Sequence, residues 1–164
     1  QRWLLKDPSH IGHLPEILHT YPNAKFIHIH RDPLESVGSF CSLTKNIRSA
    51  FSKKVSTEDI GSTVIDFWMH NLNKGIEYRK NIPSHNIVDI SYQDFIKSPL
   101  DNIKSSYVHL GFDMTTKTEN DIQEYISQDR NRSMSSHNYS LNEFGLTERK
   151  VKDQFRDYML NYDF

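Results

Sequence analysis

Several things are scarce in this sequence, and each scarcity closes off a class of protein. There is one cysteine, Cys41, in 164 residues, so no intramolecular disulfide framework can hold the chain together. That suits a reducing compartment, and a cytoplasmic location is the expectation; a Golgi or secretory lumen is the alternative for part of a longer chain. No apolar run approaches the roughly 20 residues that a membrane-spanning helix needs, and no span is expected. Neither charge sign dominates: 20 Lys and Arg stand against 21 Asp and Glu, for a net charge of −1. Such a balance argues against nucleic acid or a membrane surface as a general partner and confines any anion site to a local patch. No signal peptide is visible and the first residue is Gln1 rather than Met, so the expectation is a segment from inside a longer gene product. Internal repeats, low-complexity linkers and any Gly-x-x-x-x-Gly-Lys phosphate loop are also missing. What is present is a globular composition, 36% hydrophobic and 12% aromatic. The length suits one domain spanning residues 1–164, large enough to bury roughly 70% of the unfolded chain's surface.

The punctuation of the chain gives an order of elements. Asp7-Pro8 reads as a helix cap followed by proline at the first helical position, with Ile11, Leu14 and Leu18 on one face. Tyr21-Pro22-Asn23-Ala24 is a turn, and residues 25–31 form a short strand. Asp32-Pro33 repeats the cap signal before a helix carrying Val37, Phe40, Cys41, Thr44, Ile47 and Phe51 inward. A long helix follows a cap at Ser56 or Thr57, with Ile60, Val64, Trp68, Leu72 and Ile76 inward. Residues 86–90 are a second strand, ending at Ser91-Tyr92. Ser98-Pro99 opens a helix stopped by Gly111, Thr118 caps a short helix, residues 129–142 read as a loop, and Thr147 caps a last helix through Tyr162. Helices alternating with short apolar strands indicate α/β layering around a parallel sheet. Two strands are few for such a sheet, which fits strands missing from the N-terminal side.

Arg31 closes the first strand, which is expected to be buried core, and a helix starts at once. In open α/β sheets ligands bind beyond the carboxyl ends of the strands, and a helix N-terminus there offers N–H groups and a positive dipole end. The Arg31 guanidinium is a fork of donors suited to phosphate oxygens. Ser39 lies about two turns into the helix, roughly 10 Å along it, within reach of a phosphate also held by a long arginine. The other reading, equally open on the residues alone, is that Arg31 pairs with a carboxylate and Ser39 merely packs.

Four separated segments resemble the sulfotransferase superfamily, nearest to its bacterial and tyrosylprotein-sulfating members. They are residues 3–10, Trp-Leu-Leu-Lys-Asp-Pro-Ser-His; residues 21–33 with the run on to Ser39; residues 90–95 with the helix from Ser98-Pro99 to Gly111; and residues 137–147. The resemblance implies a parallel sheet flanked by helices, a fold like that of phosphate-loop kinases, here truncated at the N-terminus. It implies transfer of a sulfuryl group from 3′-phosphoadenosine 5′-phosphosulfate (PAPS) to a hydroxyl or amine of a small-molecule, carbohydrate or peptide acceptor. It also implies site residues. Arg31 and Ser39, eight apart, would bind the 3′-phosphate. Lys6 would stabilise charge on the leaving oxygen, and Tyr92 would lie near the adenine and ribose. Arg132, with Arg130 beside it, would add a basic contact to the 3′-phosphate, against a reading as solvated loop charges. The departure from the family is the absent glycine-rich loop that wraps the 5′-phosphosulfate. The usual base often lies in the same region; His10 is the nearby substitute.

Three further readings compete. The chain could be a non-catalytic module that binds a 3′-phosphoadenosine nucleotide, or a structural piece in which Arg31 pairs internally. Among the nine histidines, His28 and His30 share a strand face and His10 and His13 sit one helical turn apart. Such pairs can ligate zinc, but no carboxylate or cysteine stands in a recognisable ligand pattern beside them, so no metal is expected. The residues do not reveal the oligomeric state.

Overall fold

The computed structural model describes residues 3–129 and 140–164. By contacts the chain divides into two compact units, one of residues 1–23, 32–81 and 138–164, the other of residues 24–31 and 82–137.

The first unit is helical. Asp7 caps a 3-10 turn over Pro8–His13, which runs into α1, Leu14–Thr20. The single helix expected here is thus split, and Pro15, near the start of α1, cannot donate to the preceding turn. Helix α2 spans Pro33–Phe51 behind the Asp32 cap. Helix α3 spans Thr57–Arg79, capped by Ser56 rather than Thr57, whose Oγ accepts from the Asp59 N–H at 3.2 Å. A 3-10 turn over Leu141–Phe144 and two short helices, α7 (Glu148–Gln154) and α8 (Arg156–Asn161), complete the unit; α4 to α6 belong to the other. The last helix, expected to be continuous, breaks at Phe155.

Val37 and Cys41 of α2, Ile60, Val64 and Ile65 of α3, and Phe144, Leu146, Val151 and Phe155 make one buried cluster. Ile47 and Phe51, expected inward, are 54% and 89% exposed; the cluster contacts α2 only along its first half. Close approach in this unit depends on glycine. A Cβ on Gly61 would stand 2.0 Å from the Phe144 carbonyl oxygen, and one on Gly75 would stand 2.5 Å from Ile11 Cγ1.

The second unit holds the sheet. Strand β1, Phe26–His30, pairs in parallel with β2, Ile87–Ser91, in the register Ile27 to Val88, His28 to Asp89 and Ile29 to Ile90. Tyr92–Lys97 forms a short helix, α4, which the sequence reading did not separate from the strand end. Helix α5, Pro99–His109, packs on β2 and α6, Thr116–Asp129, packs on α5. Gly111, at φ +69°, stops α5, and the Phe112 N–H returns to the Tyr107 carbonyl at 2.8 Å. The cap of α6 is Thr115 and not Thr118: the Thr118 N–H donates to Thr115 Oγ1 at 3.1 Å.

The expectation that β1 is buried core needs correction. Its inward residue at the end is His30, 2% exposed, whereas Ile27 and Ile29 are 47% and 44% exposed. Side chains alternate along a strand, so the face that holds His28 and His30 is the more covered and the face that holds Ile27 and Ile29 is left partly open.

Candidate functional site

In the sheet unit, Arg31 leaves β1 directly after the last paired residue. Its guanidinium carbon lies 4.6 Å from the centre of the Tyr92 ring, the first residue after β2. Cation–π stacking of this kind is worth about 0.5–2 kcal/mol and restricts where the fork of donors can point. The parallel register is what makes the pair: His30 lies opposite Ser91, so the residues that follow each strand emerge side by side. Tyr92 therefore has a role the sequence did not foretell, as the platform on which Arg31 lies.

In the helical unit, the start of α2 is fully engaged by its own cap. Asp32 Oδ1 accepts from the Leu34 N–H at 2.8 Å. The Asp32 carbonyl accepts from the Glu35 and Ser36 N–H groups at 3.1 and 3.0 Å and from Ser36 Oγ at 3.0 Å. Pro33 has no N–H to offer. The expectation that this helix end presents free backbone donors is corrected: an anion there would be gripped by side chains. Ser39 lies on the second turn, half-buried.

Lys6 is exposed and His10 half-buried, on either side of the Asp7 cap. The Ser9 N–H donates to Asp7 Oδ1 at 2.8 Å and the Ser9 hydroxyl at 2.5 Å. These two hydrogen bonds, the hydroxyl's first, hold the Asp7 carboxyl below its usual range, with the charges of His10 and Lys6 adding to the effect. Lys6 and His10 thus share the surroundings of one carboxylate. Arg132 and Arg130 lie outside the described residues.

One group of polar side chains was missed. His28 and His30 project from β1 to the same face, and Asp89 of β2 joins them. His30 Nε2 lies 2.7 Å and His28 Nδ1 3.9 Å from Asp89 Oδ1, and the two imidazole rings are 3.8 Å apart. The carboxylate that the histidine pair lacked in sequence is supplied by the neighbouring strand, 59 residues beyond His30.

Comparison with known proteins agrees with this architecture. Residues 1–116 match the model of the sulfotransferase family. The chain is 27% identical over 154 residues to the omega-hydroxy-beta-dihydromenaquinone-9 sulfotransferase Stf3 of Mycobacterium bovis, covering 92% of this chain and 38% of that protein; Stf3 of Mycobacterium tuberculosis matches equally. Sulfotransferase STF9 from Mycobacterium avium superimposes with a TM-score of 0.86 at 25% identity, over 99% of this chain and 42% of that one. Sulfotransferase STF1 from M. tuberculosis superimposes with a TM-score of 0.79 at 30% identity, over 96% and 40%. This chain therefore spans about two fifths of the length of these relatives. A parallel β1–β2 pair ending in an arginine, carried among helices and matched by the family model over more than half its length, places the chain in the sulfotransferase family.

Proposed function

We propose that the chain is the nucleotide-gripping part of a sulfotransferase that moves a sulfuryl group from PAPS to a hydroxyl of a small-molecule acceptor. Carbohydrate and peptide hydroxyls, and amines, are the wider acceptor class. The relative Stf3 is named for a hydroxylated menaquinone derivative, which favours an alcohol. In this reading Arg31 and Ser39 hold the 3′-phosphate, and Tyr92 fixes the direction of Arg31. Sulfuryl transfer forms a bond from the acceptor oxygen to sulfur and breaks the bond from sulfur to the bridging phosphate oxygen. Lys6 meets the charge left on that bridging oxygen, and His10 takes the acceptor's proton.

The observation that carries this reading is Arg31 at the carboxyl end of a parallel strand with its guanidinium laid on Tyr92, 4.6 Å from the ring centre. A donor fork held in advance loses less freedom when a phosphate arrives. The test is calorimetry with 3′-phosphoadenosine 5′-phosphate. Arg31→Ala is expected to lose about 2–4 kcal/mol of binding, the scale for truncating one partner of a charge-paired contact. Adenosine 5′-phosphate, which lacks the 3′-phosphate, is expected to lose a similar amount. Equal binding by parent and variant would remove Arg31 from the site.

A further inference from the structure

We infer that His28, His30 and Asp89 form a site for a transition-metal dication of borderline softness, with Zn²⁺ the best fit, and that the metal ties β1 and β2 together. Residues two apart on a strand share a face, so the His-x-His run of β1 directs two imidazoles to one side. The ladder pairs His28 with Asp89, which brings a carboxylate to that same side from the other strand. None of the three depends on a loop to hold its position.

The spacing suits a single ion. The ligand atoms of all three lie within 4.8 Å of one another. Around one zinc, at bond lengths of about 2.0–2.2 Å in a tetrahedron, they would lie roughly 3.3 Å apart. The pairs seen, 2.7 Å for His30 with Asp89 and 3.9 Å for His28 with Asp89, bracket that value. Rotation about side-chain torsions is enough to even them out. The donor set also selects the metal. Two imidazoles and one carboxylate suit zinc and its neighbours, whereas calcium and magnesium favour all-oxygen shells. Three protein ligands leave a fourth position for solvent.

Burial is graded in a way that serves binding. His30 is 2% exposed and fixed in the packing, while the Asp89 side chain is 39% exposed and gives the ion a path in. The consequence follows from the size of the sheet. Among the described residues the sheet has two strands, and a two-stranded pair by itself is marginal in water. A metal bonded to both would hold β1 and β2 in register next to Arg31 and Tyr92, the residues that leave them.

The test is calorimetric titration of Zn²⁺ into the metal-free protein, with Mg²⁺ titrated in parallel, followed by hydrogen exchange with and without zinc. One zinc should bind with micromolar or tighter affinity, and Mg²⁺ should give no saturable heat. His28→Ala and Asp89→Asn, both at positions less buried than His30, should each weaken zinc at least tenfold. His13→Ala and His19→Ala, exposed histidines elsewhere, should not. Bound zinc should slow amide exchange in residues 26–30 and 87–91. His30→Ala is the less useful variant because it empties a packed position. The inference fails if no saturable zinc binding occurs below about 100 μM, if His28→Ala and Asp89→Asn bind zinc like the parent, or if protection rises only outside the two strands.

Discussion

Arg31 and Cys41 show how neighbours set the chemistry of a single side chain. Arg31 has its guanidinium over an aromatic face, which narrows the directions its donors can take. Cys41 is the opposite case: 0% exposed in the helical core, its thiol is pushed up from 9.0 to about 11 by loss of solvent around the thiolate. The thiolate is the reacting form. A thiol-specific disulfide reagent at pH 8 should therefore leave Cys41 almost untouched in the native chain and react fully in denaturant. Prompt native reaction would mean that the core around α2 opens readily. The raised value also fixes the sign of a stability effect. The folded state holds the proton more tightly than the unfolded state, so the Cys41 contribution is complete below about pH 9. It is lost as pH climbs toward 11.

Elements meet here through missing side chains as much as through filled ones. Along α3, Gly61 lets the 3-10 turn over Leu141–Phe144 come close enough for the Phe144 carbonyl oxygen to lie 2.0 Å from where a Cβ would be. That oxygen belongs to backbone and cannot rotate away. Gly61→Ala, although it raises helix propensity by about 1 kcal/mol, should destabilise the protein by about 1–3 kcal/mol through overpacking. Thermal unfolding measures the balance, and an unchanged or raised midpoint would show that the turn over Leu141–Phe144 moves aside. The boundaries of elements followed the caps well: Asp7, Asp32, Ser56 and Thr147 all sit where their side chains accept from the first helical turn. Caps act over three residues, and so they are visible in local sequence. The breaks at Pro15 and Phe155 and the short helix α4 were less visible, since apolar spacing continues through them while the backbone turns.

At the scale of the molecule, the family match and the two-fifths coverage of its relatives frame a prediction about activity. Preorganised donors around a reacting group are each worth roughly 10²–10³ in rate. These 164 residues carry Arg31, Ser39 and Lys6 but no glycine-rich loop for the 5′-phosphosulfate. The 164-residue chain assayed by itself with PAPS and a panel of phenol, sugar and peptide acceptors should turn over at least about 10²-fold more slowly than an enzyme in which such a loop is present. Robust turnover would mean that other groups of this chain supply those donors.

Capping, alternation and motif spacing are properties of neighbouring residues, so the order of helices and strands, the strand–Arg–helix junction and the family resemblance are legible without the fold. Two matters needed long-range packing. The parallel register set Tyr92 beneath Arg31 and brought Asp89 to the two histidines; pairing across 59 or more residues leaves no local trace. Burial of His30 with Ile27 and Ile29 partly open reversed the expected core of β1, because hydrophobicity says which side chains can be buried, and only the packing on each face of the sheet says which are.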